Sequence, residues 1–316
     1  MLPSPADVLA AAYRLRSVVD HTPLVHSAAL STRAGVQTWL KCENLQHTGS
    51  FKLRGATNAL ALLTDTQRAR GVVASSAGNH GLGIAHAARA LGTRARIFVP
   101  STAPVVKRRG IAALGAEVDD DYSDYDAAHR AAEEFAREHS MTFVNPCAGE
   151  PLLAGQGTVA LEILEELPTA RTFVVPVGGG GLVGGMAALV RAVAPAARIV
   201  GVQSEATNAM ALSLAAGHLV PVEVIPTLAD GLAGQVDDVG VAIGQVAIDT
   251  MITVRESEIA EAMRWLAREH DLRVEGSGAV ATAALLHGLV PDLAGPAAAV
   301  VSGGNVDDAR WRAIVG

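Results

Sequence analysis

The feature that most constrains this chain is an alternation along nearly its whole length: short runs rich in Val, Ile and Phe take turns with longer Ala-rich runs. Strand-length segments include QTWLKCE, GVVASS, ARIFVP, TFVNP, TFVVPV, RIVGVQ, MITVRE and AAAVVSG. Helical stretches lie between them, such as SEIAEAMRWLAREH, where Ile259, Ala262, Met263 and Leu266 share one face. A strand that is followed by a helix returns to the sheet in parallel. The pattern therefore predicts an α/β protein with largely parallel sheets flanked by helices. At 316 residues there is room for two such units, and a change in character at NPCAGEPLLAG (145–155) marks where a boundary is expected.

Composition removes several function classes. Aromatic residues are 3% of the chain and the net charge is −7, with the basic residues scattered, so no stacking platform or phosphate-tracking stripe for nucleic acid is present. The longest uncharged run, Thr172 to Val190, reaches membrane-spanning length, but Pro176 and six glycines break it. A buried strand, a turn and a helix explain that run, and no membrane partner is expected. The first twenty residues carry no basic region ahead of an apolar run and read as an amphipathic helix of the fold. Cys42 and Cys147 are far apart and match no metal-finger spacing, which fits a reducing, cytoplasmic setting without disulfides.

Four glycine-punctuated turns hold the candidate chemistry. In TGSFKLRGA (48–56), Thr48 and Ser50 are natural N-caps, Gly49 and Gly55 loosen the backbone, and Leu53, Ala56 and Leu60 begin a helical pattern. Lys52 thus lies at the mouth of a helix, an end that suits an anion rather than a cation. It is either a surface side chain turned away or a residue with a task. In VVPVGGGGLVGG (174–185) an apolar strand runs into a helix, so successive N–H groups can face a phosphate. Gly179, Gly181 and Gly184 also satisfy G-x-G-x-x-G, with Glu205 downstream for a ribose hydroxyl, so a nicotinamide dehydrogenase stands as a rival, as does a tight turn without a ligand. The turn ASSAGNHGLGIA (74–85) offers Ser76, Gly78, Asn79 and His80 at a helix start, parts that hold a carboxylate or a ring substituent. The turn AVVSGGNVDD places Ser302 at the end of a strand.

Taken in order, TGSFKLRGA, SAGNHG, AGQGT, VGGGGLVGG and SGGNVD resemble the pyridoxal-phosphate-dependent serine/threonine dehydratase family of fold type II, across essentially the whole chain. The resemblance implies two domains, each with a largely parallel twisted sheet flanked by helices. A large cofactor-binding domain would span 1–60 and 145–316, and a small domain 61–144. It implies pyridoxal 5′-phosphate as cofactor, Lys52 as the Schiff-base lysine and catalytic base, and Phe51 packed on the pyridine ring. Asn79 would hydrogen-bond the 3′ oxygen, Gly178, Gly179, Gly180, Gly181 and Leu182 would hold the phosphate, and the Ser302 hydroxyl would face the ring nitrogen. The substrate carboxylate would lie against Ser76, Ala77, Gly78, Asn79 and His80, with His80 only positioning.

The implied reaction is β-elimination on a β-hydroxy-α-amino acid such as L-threonine or L-serine, giving a 2-oxo acid and ammonia, by a homodimer. Serine racemase, 3-hydroxyaspartate ammonia-lyase and a dehydratase of hydroxyectoine catabolism are the alternatives within the family, and a catalytically silent binding protein lies outside it.

Some positions depart from the family. Members with a structural divalent cation carry glutamate where this chain has Gln203 in GVQSEATNAMA, with no acid between Asn208 and Ala211, so no metal is assigned. Racemase relatives carry serine immediately before Gly-Asn-His, where Ala77 stands here. Cys147 falls in the segment that shapes the side-chain pocket in relatives, or is a buried small hydrophobe. The chain stops soon after SGGNVD, without the regulatory domain of feedback-inhibited dehydratases, which points to a catabolic role. His86 reads as packed or exposed, and Asp119, Asp120 and Asp121 as a solvated loop.

Overall fold

The structure is a computed structural model and describes residues 2–103, 105–223 and 225–316. Ten strands occur among them: β1 (Leu24–His26), β2 (Thr38–Cys42), β3 (Val72–Ser75), β4 (Ala95–Pro100), β5 (Glu117–Tyr122), β6 (Thr142–Phe143), β7 (Thr172–Pro176), β8 (Arg198–Ser204), β9 (Thr250–Val254) and β10 (Ala297–Val301). They form two sheets. One has the order β1-β2-β10-β7-β8-β9 and the other β5-β4-β3-β6. Every pairing is parallel except β1 with β2.

Burial on both faces explains the apolar runs in the sequence. All residues of β7 and β10 are buried, as a parallel strand covered by helices requires. The Ala-rich β10 is matched by the Gly276–Leu286 helix packed on it, also buried at every position. Small side chains on both elements let them approach closely.

The chain opens with a helix at Pro5–Leu15, where Ser4 and Asp7 form a capping box. No helix among the described residues is long and apolar enough to cross a membrane. The aspartate run is not a solvated loop. Asp119, Asp120 and Asp121 belong to β5, the edge of the smaller sheet, where Asp119 pairs with Arg96 at 2.9 Å and Asp120 with Arg108. Charge on an edge strand blocks pairing with another chain, which reconciles three acids with a strand.

The sheets present their carboxyl ends to one region. Ser76 follows β3, Val177 and the glycine run follow β7, and Ser302 follows β10. Open parallel sheets collect ligands beyond these ends.

Candidate active site

The Lys52–Ala61 helix starts without a side-chain cap. Neither Thr48 nor Ser50 caps it, contrary to the sequence expectation: the N-cap position is Phe51, already helical in conformation. Ser50 instead bridges to Gly303, and its buried hydroxyl finds no partner. The N–H of Phe51 bonds the carbonyl of Ser302 at 3.2 Å, which ties the helix start to the end of β10. The Lys52 ammonium lies 5.3 Å from the centre of the Phe51 ring and donates to the Pro146 carbonyl at 2.8 Å.

Pro146 leads directly to the glycine run. A Cβ on Gly179 would fall 2.8 Å from Cys147 Sγ, and one on Gly181 3.1 Å from the Cys147 backbone. The Cys147 segment lies against both, so a side chain at Gly179 would displace the Cys147 side chain and one at Gly181 would crowd its backbone. Gly180 takes φ +92° and precedes the Gly181–Val193 helix, which has no side-chain cap. Its first N–H groups remain free to meet an anion. Leu182 is buried beneath the loop, while Gly178 makes only ordinary contact with Leu232.

Asn79 begins the Asn79–Ala90 helix and lies in a chain of amides. Asn305 Nδ2 donates to the Thr48 carbonyl and to Asn79 Oδ1, both at 2.7 Å. Asn79 Nδ2 then donates to Glu275 Oε1 at 2.6 Å. Because Thr48 offers only an acceptor, the order of donors along the chain is forced, and one N–H of Asn79 is left for another partner.

Neither Glu275 nor the role of Asn305 was legible in the sequence. Asn305 lies inside SGGNVD, but Glu275 has no motif and precedes an unremarkable Gly-Ser-Gly helix start. Glu275 is 6% exposed. Burial, aided by the nearby Asp230 charge and opposed by Asn79 and Lys107, pushes its carboxyl up to about 7.

The remaining predicted residues surround this chain. Gly78 N–H bonds Ser76 Oγ at 3.1 Å, leaving the Ser76 hydroxyl proton free, and Ala77 is partly buried between them. His80 is buried, its Nε2 2.9 Å from the Val144 carbonyl. A carbonyl only accepts, so Nε2 carries the proton. Burial, reinforced by the Lys52 charge, pushes the imidazole down to about 3 and keeps it neutral. The Ser302 hydroxyl is buried and contacts the Ser277 carbonyl at 3.4 Å.

Two other sequence features fall outside. Gln203 is buried, and its amide oxygen accepts from the Ala211 N–H at 2.9 Å. The position thus presents an amide engaged with the backbone, which does not suit a hard cation, and Glu205 is exposed. Among the described residues no cluster of three His, Cys, Asp or Glu side chains is placed to hold a metal ion. His86 is half-buried and stacks on His47, with ring centres 5.9 Å apart.

Comparison with known proteins agrees with this geometry. An L-threonine ammonia-lyase of Thermotoga maritima is 42% identical over 303 residues, covering 95% of this chain and 75% of the relative. The L-threonine dehydratase catabolic TdcB of Staphylococcus aureus is 39% identical, covering 98% and 91%. Among solved structures, maize serine racemase superposes with a TM-score of 0.95 at 30% identity, covering 99% of this chain and 97% of that one. Threonine deaminase isoform 2 from Solanum lycopersicum gives 0.92 at 33%, covering 98% and 90%. The dinucleotide reading of the glycine run gives way to these findings. Residues 15–303 match the family described as pyridoxal-phosphate dependent enzyme, and the chain belongs to it.

Proposed function

We propose that this chain is an ammonia-lyase acting on a β-hydroxy-α-amino acid, L-threonine or L-serine. Water is lost across the α- and β-carbons, and hydrolysis of the released enamine returns it. Threonine thus gives 2-oxobutanoate and ammonium with no net consumption of water. The observation that carries this reading is the juxtaposition of Lys52, on an uncapped helix start, with an uncapped glycine loop across the Pro146–Cys147 segment.

The residues present fit pyridoxal phosphate. Gly178, Gly179, Gly180, Gly181 and Leu182 offer free N–H groups for a phosphate, and the orphaned hydroxyl of Ser50 lies at the Gly303 bridge beside Ser302. The remaining N–H of Asn79 suits a phenolic oxygen, Phe51 supplies an apolar face, and the Ser302 hydroxyl suits a ring nitrogen. The cofactor supplies an electron sink for charge developing at the substrate α-carbon. Ser302 is neutral, so it does not hold a proton on that nitrogen as a carboxylate would. The sink is weaker for it, which favours elimination over transamination.

Lys52 is the base that takes the α-proton, its amine being held by the Pro146 carbonyl beside the glycine loop. Ser76, Ala77, Gly78, Asn79 and His80 form the substrate carboxylate site. The free Ser76 proton and the N–H groups at the helix start supply the donors, and neutral His80 fixes the loop through Val144. Residues 1–60 and 145–316 form the large domain and 61–144 the small one, and the protein works as a cytoplasmic homodimer.

The relatives' names favour threonine over a longer or charged substrate. The test is release of ammonia and 2-oxo acid across a panel of hydroxy amino acids, with borohydride trapping mapped to Lys52. No release from threonine or serine refutes the proposal.

A further inference from the structure

The AGQG segment (154–157) has no part in the site described above, yet it lies within the N-terminal half of the Glu150–Glu166 helix. That helix packs against both the Lys52–Ala61 helix and the Gly181–Val193 helix. On one face the approach is closed by glycines. A Cβ on Gly155 would lie 2.6 Å from the Arg54 carbonyl oxygen, and one on Gly55 2.8 Å from the Leu152 carbonyl. On the other face a Cβ on Gly157 would lie 2.7 Å from the Gly185 carbonyl, and one on Gly185 2.7 Å from the Gly157 nitrogen. Backbone meets backbone on both sides, so neither helix can yield by rotating a side chain.

Polar contacts fix the register on the Lys52 side. Arg54 is fully buried and binds Glu162 through two nitrogens at 2.6 and 2.8 Å, Thr158 at 3.1 Å, and Glu43 at 2.8 Å. Lys41 donates to the same Glu162 at 2.6 Å. The Gly55 N–H bonds the Gln156 side chain at 3.2 Å, and Asn58 bonds the Pro151 carbonyl at 2.6 Å. Lys52 is two residues from Arg54, and the glycine loop lies at the start of the Gly185-bearing helix.

We propose that Gly155 and Gly157 are positioning residues: through them the Glu150–Glu166 helix is a spacer that fixes the separation between the Lys52 amine and the phosphate-binding loop. This rests on the assignment of those two elements above. A cofactor held at both ends binds by two linked contacts. Its affinity depends on their separation, whereas a ligand held at one end is indifferent to it.

The experiment uses the apo protein and two probes, pyridoxal 5′-phosphate and pyridoxal, which lacks the phosphate. Gly155→Ala must move the Lys52 helix by about 0.8 Å to bring its new Cβ from 2.6 Å to the 3.4 Å of ordinary contact, and Gly157→Ala acts likewise on the loop side. In each variant the affinity for pyridoxal phosphate falls about tenfold, while the pyridoxal trapped on Lys52 by borohydride stays within about twofold of wild type. Equal losses for both probes, or no loss for either, overturn the spacer.

The wild-type protein gives a reading that needs no variant to fold. A pyridoxal phosphate homologue with one extra methylene in the phosphate arm binds about tenfold more weakly than the cofactor itself. Equal binding of the homologue overturns the fixed separation. Wild type that traps no adduct on Lys52 overturns the site assignment, and the spacer with it, a failure distinct from the others.

Discussion

Replacing Glu275 by Gln removes one buried titration while keeping the acceptor that Asn79 uses. The carboxyl is 6% exposed and receives the Asn79 amide at 2.6 Å, and burial with the Asp230 charge raises it from 4.5 to about 7. A folded-state value above the unfolded one means that the fold favours the neutral form. The associated stability is complete below the unfolded value near 4.5 and is lost as pH rises to about 7. The gap is roughly 2.5 pH units, which at about 1.36 kcal/mol per unit amounts to about 3 kcal/mol.

The Gln variant has no such loss. Its stability relative to wild type is expected to climb by up to about 3 kcal/mol between pH 4.5 and 7 and then level off. Urea denaturation of both apo proteins, at one protein concentration and a series of pH values, measures the difference, and every group common to the two cancels. A difference that stays flat across this window, or falls, would refute the argument that burial holds Glu275 neutral.

Lys52→Ala is expected to abolish elimination while leaving circular dichroism unchanged and a weakened, noncovalent binding of cofactor through the glycine loop and Asn79; activity near wild type would remove Lys52 from the chemistry. Arg54→Met leaves the Glu43 carboxylate buried without a cation and Glu162 with Lys41 alone, and denaturant titration should show a loss of about 3–5 kcal/mol. Because Gln203 spends its amide oxygen on the Ala211 backbone, exhaustive chelation should leave ammonia release unchanged, and a loss restored by magnesium or calcium would contradict this. Ala77 has neither a proton to give nor a site to accept one, so chiral chromatography should find negligible D-serine from wild type, with some D-isomer turnover gained in Ala77→Ser.

Much of the fold was legible because parallel strands covered on both faces must be continuously apolar. That signature, or a run rich in β-branched and aromatic residues, marked β2, β3, β4 and β6 to β10 in the sequence. It did not mark β1, three residues joined antiparallel to β2, or β5, an edge strand carrying three aspartates. The edge strands β6 and β9 keep Thr, Phe, Met, Ile and Val and so still read as strands, whereas β1 is too short to stand out and the acids of β5 resemble a loop. The misplaced N-cap has a related cause. Thr48 and Ser50 have capping chemistry, but Ser50 is drawn to Gly303 and the Phe51 N–H to Ser302, contacts about 250 residues away in the chain.

The sequence by itself determined the alternation of strands and helices, the glycine turns at their ends and the order of motifs. Those depend on local periodicity and on backbone freedom. Only the tertiary structure decided which groups share a charge or a hydrogen bond. Glu275 meets Asn79 across 196 residues, Arg54 meets Glu162 across 108, and Gly155 is needed by a helix that ends at Ala61. A carboxylate reads the same in any sequence. Its protonation, its partner and its consequence are set by the dielectric and the neighbours that folding brings to it.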